Sequence, residues 1–464
     1  MLFHTQAFLL AFLPLTVAAY YALAGYPQAR RWATVLASLV FYGYWDWRLV
    51  PLLVLSVLAN WLLSLLPPRL PMRWVVAGGV AANLAVLGFF KYADFLAGSV
   101  AAALGLRHDP YGIVLPLGIS FFTFQQISYL VDLGRGTAPR YRLADYALWV
   151  TLFPHLIAGP IIRHHEIIDQ FALPPLRPGL AERLSRGFTL LVLGIAKKVL
   201  IADQLAALAD PLFAAAQAGR TLGLGEAWTA GVAFSLQIYF DFSGYSDMAM
   251  GLAMLLGLML PVNFDAPYRA SSIREFWRRW HVTLSRFLRD YLYIPMGGNR
   301  LLPAARAGAT VATMLLGGLW HGAGWTFVAW GGLHGAALAA NQAWNARGLR
   351  MPAWLGWLST MLVVVTGFVL FRAADFASAA SIAASMVGVH GLKAVSGAAA
   401  MQAADLALLL AAGAIATVGP PAHVWAFERL RPRAWIAAPV AAAFVYLLLL
   451  VGGGRNTEFI YFQF

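Results

Sequence analysis

The sequence predicts an all-α polytopic membrane protein, on three observations. Of 464 residues, 61% are hydrophobic and only 11% charged, about half the charge of a soluble globular chain. Mean hydropathy is +0.69. Apolar runs long enough to cross about 30 Å of hydrocarbon recur along the whole chain with short connections, which favours a single membrane domain over residues 1–464.

The first four spans are expected near 6–25, 33–47, 49–66 and 74–90, where charge is nearly absent. Met1–Gln6 carries no Lys or Arg and further spans follow directly, so the first run is expected to be retained rather than cleaved as a signal peptide. Further candidates lie near 113–131, 145–162, 187–208, 228–240, 246–262, 308–322, 323–340, 354–371, 404–419 and 434–453. Some are too short or too polar to span alone, so ten to twelve crossings are expected, with the others re-entrant or buried.

Arg30 and Arg31 follow the first span, Arg69 and Arg73 the third, and Arg429, Arg431 and Arg433 precede the last. The positive-inside rule places these loops in the cytoplasm and both termini outside. Residues 373–403, with Lys393 as their single Lys or Arg, then form an exterior connection. The net charge of +13 is spread over short loops, which suits membrane lipid head groups and argues against nucleic acid. Because the chain has no cysteine, thiolate nucleophiles, disulfides and cysteine metal sites are excluded.

Residues 271–300, SSIREFWRRWHVTLSRFLRDYLYIPMGGNR, hold the densest cluster of ionisable groups. Ser272 with Glu275 three residues later reads as a capping box, and Gly297-Gly298 as a stop, so a helix is expected over about 273–294. Trp277, Trp280, Leu284, Phe287 and Leu288 recur at helical spacing. The stripe is amphipathic. It fits a helix lying flat at the cytoplasmic surface. It equally fits a cationic entrance in which Arg274, Arg278 and neighbouring arginines meet a phosphate-bearing ligand. His281 and Ser285, four apart, would share one helical face.

WHGAGW, residues 320–325, places His321 between two apolar runs. Ionisable side chains at membrane depth are costly, so His321 is read as functional, and the surrounding glycines permit close backbone approach at a cavity. The competing reading is a neutral imidazole bonded to a backbone carbonyl. His334, thirteen residues on, would stand roughly 20 Å away along a continuous helix and is assigned to packing or support. His281 and His321 lie on different elements and are free to converge. Neutral imidazole is the economical base for acyl transfer to a hydroxyl. No metal site is expected, since HExxH spacing is absent and the side chains of His164 and His165 diverge.

Several longer stretches resemble the membrane-bound O-acyltransferases, in the bacterial branch that includes alginate O-acetylation. They are FFKYADF (89–95), LPLGISFFTFQQISYLVDLGRG (115–136), FPHLIAGPIIRH (153–164), AKKVLIAD (196–203), DFSGYSDMAMG (241–251), FWRRWHVTLSRFLRDYLYIPMGGNR (276–300), WHGAGW and FIYFQF (459–464). The resemblance implies a ring of tilted helices around a tunnel open to both faces. It also implies His321 as the catalytic base, His281 as its partner, and Arg274, Arg278 and Arg279 at the donor entrance. The donor would be acyl-CoA, acetyl-CoA in the first instance, or an acyl carrier protein thioester on the cytoplasmic side, with no tightly bound cofactor. The acceptor would be an exported polysaccharide or a periplasmic acetyltransferase partner, which places the chain in a bacterial inner membrane. D-alanyl or peptidoglycan acyl transfer by the same fold, and a proton-coupled transporter using the two histidines as a relay, stand as alternatives. Asp241 and Asp247, carboxylates at membrane depth, are functional candidates, with a helix cap or a structural hydrogen-bond network the favoured reading, and Gln125 and Gln126 are expected in bonds to neighbouring helices.

Overall fold

The computed structural model describes residues 1–66, 71–391, 403–431, 433–453 and 459–460, and among them it is helical with no strand. Arg69, Lys393 and residues 461–464 of the C-terminal motif lie outside the described residues.

Among the described residues, four helical stretches are long and apolar enough to cross a membrane: Pro27–Leu65, Met72–Ala103, Ala353–Arg372 and Trp435–Gly452. The bent pair Ala403–Thr417 and Ala422–Arg429 would make a fifth. Within the first, Asp46 leaves the helical region (φ −152°, ψ 105°) and its side chain accepts the Arg48 N–H. The stretch therefore divides into Pro27–Asp46 and Val50–Leu65, as the two runs near 33–47 and 49–66 suggest.

Fewer segments meet this test than the ten to twelve crossings read from the sequence. Pro303–His321 and Trp325–Ala346 are long enough but less apolar, because they carry the glycines and polar groups of an interior. The runs near 228–240 and 246–262 form one helix, Leu224–Leu255. The run near 145–162 is helical only over Leu143–Thr151 before turning irregular.

The residues group into two compact units. One comprises Met1–Leu193, Tyr245–Pro261 and Ala426–Glu458. Its apolar helices are joined by a few buried amide bonds, the cheapest way to satisfy polar groups in hydrocarbon. Asn60 and Asn83 exchange hydrogen bonds of 2.6 and 3.2 Å. Gln126 donates to Ser56 Oγ at 2.9 Å and accepts from Tyr146 Oη at 3.3 Å, while Gln125 Nε2 lies 3.2 Å from His155 Nδ1. Gln126 thus serves the interhelical role expected of both, whereas Gln125 meets a histidine in the irregular segment that follows Leu143–Thr151. His164 is buried between Tyr141 (2.9 Å) and Asp132 (3.4 Å), and the adjacent His165 ring is turned by 84° and exposed.

The other unit comprises Gly194–Gly244, Val262–Trp425 and Phe459–Phe464. Its core is strongly aromatic, with Trp277, Trp280, Trp330, Phe264, Phe276 and Phe368 all buried. Helices Pro303–His321 and Trp325–Ala346 form a tight antiparallel hairpin turned by residues 322–324. A Cβ on Gly318 would stand 2.2 Å from the Phe327 carbonyl oxygen, and one on Gly331 2.1 Å from that of Met314. Only glycine permits this backbone approach.

Candidate active site

The hairpin positions His321. It ends the first arm, and the turn that follows brings Trp330 of the second arm against its ring, with centroids 5.1 Å apart. Phe371 packs on the same imidazole at 5.4 Å and Trp320 at 5.0 Å.

His281 arrives from the charged stretch, which departs from the continuous helix expected over 273–294. Helix Ile273–Arg279 stops, Trp280 is extended, and His281 takes up a left-handed conformation (φ 42°, ψ 54°) before Val282–Leu288 resumes. Such a conformation is uncommon outside glycine and must be held by its surroundings. Two backbone bonds flank the break: Asp265 N–H donates to Arg279 O and Val282 N–H to Asn263 O, both at 2.9 Å. The segment 263–265 thereby fixes the kink. As a result His281 and Ser285 do not share a helical face. The Ser285 hydroxyl turns back to the Trp280 carbonyl (3.3 Å), and the His281 ring enters the aromatic core.

The two imidazoles meet there. Their ring centroids lie 6.3 Å apart, with His281 wholly buried and His321 4% exposed. His281 Nδ1 lies 3.1 Å from Asn263 Oδ1, and Phe242 stands edge-on to its ring at 4.8 Å. His334 is on the opposite arm of the hairpin from His321, so the separation along one helix does not apply. Trp330 stands between the two, 4.8 Å from His334. His334 Nδ1 accepts the Trp277 indole N–H at 3.3 Å.

The expected capping box forms in altered shape. Ser272 Oγ accepts the Glu275 N–H at 3.2 Å, but the Glu275 carboxylate returns to Ser271, accepting its N–H (2.9 Å) and hydroxyl (3.1 Å). Partial burial alone would raise the Glu275 carboxyl; these bonds and Arg279 hold it below the ordinary glutamate range. The apolar stripe does not face lipid. Trp277, Trp280, Leu284, Phe287 and Leu288 are all buried within the protein.

The same stretch borders a cavity of about 720 Å³, to which Trp277 and Leu288 of the stripe also contribute. Arg274, Arg278, Arg289 and Arg306 line it together with Asn299 and Gln342, and among the described residues no acidic side chain does. Arg289 is paired with Asp290 at 2.6 Å. Among the described residues Arg274, Arg278 and Arg306 meet no carboxylate, and Arg306 Nε is buried without a hydrogen-bond partner. Three uncompensated guanidinium groups suit an anion, and forked donors suit phosphate. Arg279 lies outside this wall, bound to Glu275 at 2.9 Å and 3.7 Å from Asp265. Neither His281 nor His321 lines this cavity. Trp277 does, and it also bonds His334. Among the described residues no three His, Asp or Glu side chains group as metal ligands.

A different cluster gathers three of the longer motifs. Lys198 bridges Asp203 (2.9 Å) and Asp241 (2.7 Å), its ammonium lies 4.9 Å from the Phe459 ring, and Asp241 Oδ2 accepts the Ile460 N–H at 2.9 Å. Asp241 is thus committed to a structural network, as expected, and the sequence had not indicated Lys198 as its partner.

Comparison with known proteins decides the family. The profile of the membrane-bound O-acyltransferase family matches residues 134–374, which include both histidines and the arginines. The chain belongs to the membrane-bound O-acyltransferase family. The peptidoglycan O-acetyltransferase of Helicobacter pylori is 39% identical over 84% of this chain and 81% of its own. The probable alginate O-acetylase AlgI of Pseudomonas aeruginosa is 42% identical over 80% of this chain and 72% of its own. The teichoic acid D-alanyltransferase of Streptococcus thermophilus is more distant, at 30% over 49% of this chain and 57% of its own. This membrane-bound O-acyltransferase is therefore a multi-pass membrane enzyme, and the transporter reading falls away.

Proposed function

We propose that the enzyme moves an acetyl group from a cytoplasmic thioester to a hydroxyl on an exported polysaccharide, directly or through a partner acetyltransferase outside the membrane. The observation that carries this reading is the buried meeting of His281 and His321, 6.3 Å apart, in a chain without cysteine. His321 takes the proton of the acceptor hydroxyl as its oxygen attacks the thioester carbonyl carbon. The C–S bond then breaks, and the proton passes to the departing thiolate, so that the imidazole returns neutral. His281 supports the pair.

On the donor side, Arg274 and Arg278 contact the phosphates of acetyl-CoA or of a carrier protein's arm. Arg279, through Glu275, holds the turn that aims them into the cavity. The whole chain, 1–464, acts as one domain in a bacterial inner membrane with both termini outside; Arg30, Arg31 and Arg73, in the first turns of their helices, support that orientation. The peptidoglycan O-acetyltransferase and the probable alginate O-acetylase stand at 39% and 42% identity, whereas the D-alanyltransferases stand at 30% and 25%, which favours acetyl over D-alanyl. Peptidoglycan remains the alternative acceptor.

Mass spectrometry of surface glycans from cells with and without the gene tests the reading. Acetyl esters that vanish with the gene support it; an unchanged ester content, or lost D-alanyl esters instead, contradicts it. On the donor side, Arg274→Gln and Arg278→Gln should each raise KM for acetyl-CoA by about tenfold with little change in kcat, as loss of one charged phosphate contact requires. Arg279→Gln should lower thermal stability more than it raises KM. Initial rates and melting curves of the purified proteins check both.

A further inference from the structure

Asn263 was not singled out by the sequence, yet its side chain makes three polar contacts with the kinked segment. Its Oδ1 lies 3.3 Å from Thr283 N, 2.9 Å from Thr283 Oγ1 and 3.1 Å from His281 Nδ1. The backbone N–H of Thr283 can only donate, so the Asn263 atom facing it is the carbonyl oxygen. An amide oxygen can only accept. The hydrogen bond at 3.1 Å therefore requires the proton of His281 to sit on Nδ1, which leaves a lone pair on Nε2.

The second buried histidine of this unit shows the reverse. Indole N–H donates only, so His334 Nδ1, bonded to Trp277, is the acceptor and Nε2 carries the proton. Two imidazoles in one aromatic core are thus held in opposite tautomers by their partners. Only His281 offers Nε2 as a hydrogen-bond acceptor, and it is the one whose ring adjoins His321.

The backbone points the same way. The Asn263 carbonyl holds Val282 N–H while its side chain holds the imidazole, so one residue both supports the left-handed turn at 281 and orients the ring that the turn presents.

We propose that Asn263 is a positioning residue that fixes His281 as the Nδ1–H tautomer, so that its Nε2 presents a lone pair as a hydrogen-bond acceptor while His321 takes the hydroxyl proton and returns it to the thiolate. The inference rests on the imidazole pair being the reaction centre.

The test uses full-length protein in lipid nanodiscs with 15N-labelled histidine, His281 being assigned by its loss in His281→Gln. Turnover is read as thiol release from acetyl-CoA with water as acceptor. The wild-type spectrum should show a protonated Nδ1 and an unprotonated Nε2 at His281. Asn263→Leu should lose that pattern and lower kcat roughly 100-fold or more with KM for acetyl-CoA unchanged, the signature of a misplaced tautomer. Asn263→Asp, which still accepts, should restore the tautomer and most of the turnover. A protonated Nε2 in the wild type overturns the proposal even if no variant folds, and so does Asn263→Leu that loses the tautomer yet keeps full turnover. If His281→Ala and His321→Ala both keep wild-type turnover, the reaction-centre reading fails; a wrong tautomer in a protein that His281→Ala inactivates overturns this inference alone.

Discussion

Replacing His321 by alanine is expected to lower acyl transfer by 10³-fold or more while the protein still folds. A positioned general base contributes roughly 10²–10⁴ in rate, and without cysteine the chain has no thiol to take over. The ring packs against Trp330 and Phe371 at the end of a helix whose partner arm is held by glycine contacts elsewhere. Truncation should therefore leave the hairpin in place. Thiol release from acetyl-CoA reads the first effect, and the melting temperature of the purified protein reads the second. A variant that turns over at the wild-type rate would remove His321 from the chemistry.

Lys198→Met should produce the largest loss of stability among single substitutions at the polar sites. Lys198 and Asp241 side chains are each 2% exposed, and the lysine neutralises Asp203 as well. Removing one member of a buried ion pair typically costs about 3–5 kcal/mol, because the remaining charge is left without compensation. Here two carboxylates would face each other, one of them also holding the Ile460 N–H. The expectation is a melting temperature several degrees lower, partly restored by Asp241→Asn in the same chain, since that double change removes one of the stranded charges. An unchanged melting temperature for Lys198→Met would show that the network contributes nothing to folding.

The helical, membrane-spanning character was legible because it follows from composition and run length, which are local. His321 stood out as a candidate for a related reason: an ionisable group among glycines in an apolar run has few inexpensive structural explanations. The break at His281 was not. WRRWHVTL contains neither glycine nor proline, so its periodicity reads as unbroken helix. The kink is imposed from Asn263 and Asp265, more than ten residues upstream, through backbone bonds that no side-chain pattern records. Arg279 illustrates the same limit. It looks equivalent to Arg274 and Arg278 in sequence, but its position four residues after Glu275 draws it into an ion pair and out of the cavity. That spacing was the available signal. Arg306 lacked any such signal, because its place in the cavity depends on how the hairpin packs against the charged stretch. The stripe residues are buried, though on two helices and the extended Trp280 between them instead of one continuous face, and amphipathicity alone does not say whether protein or lipid covers them.

A double-mutant cycle on His281 and His321 tests most directly whether the two imidazoles form one reaction centre. Thiol release is measured for the wild type, His281→Ala, His321→Ala and the double variant, each checked for folding by its melting curve. Groups that act as a unit are strongly non-additive, so the double variant should be no slower than the slower single variant. Rate losses that multiply would mean the two histidines act independently, and a single variant at the wild-type rate would mean that one of them takes no part.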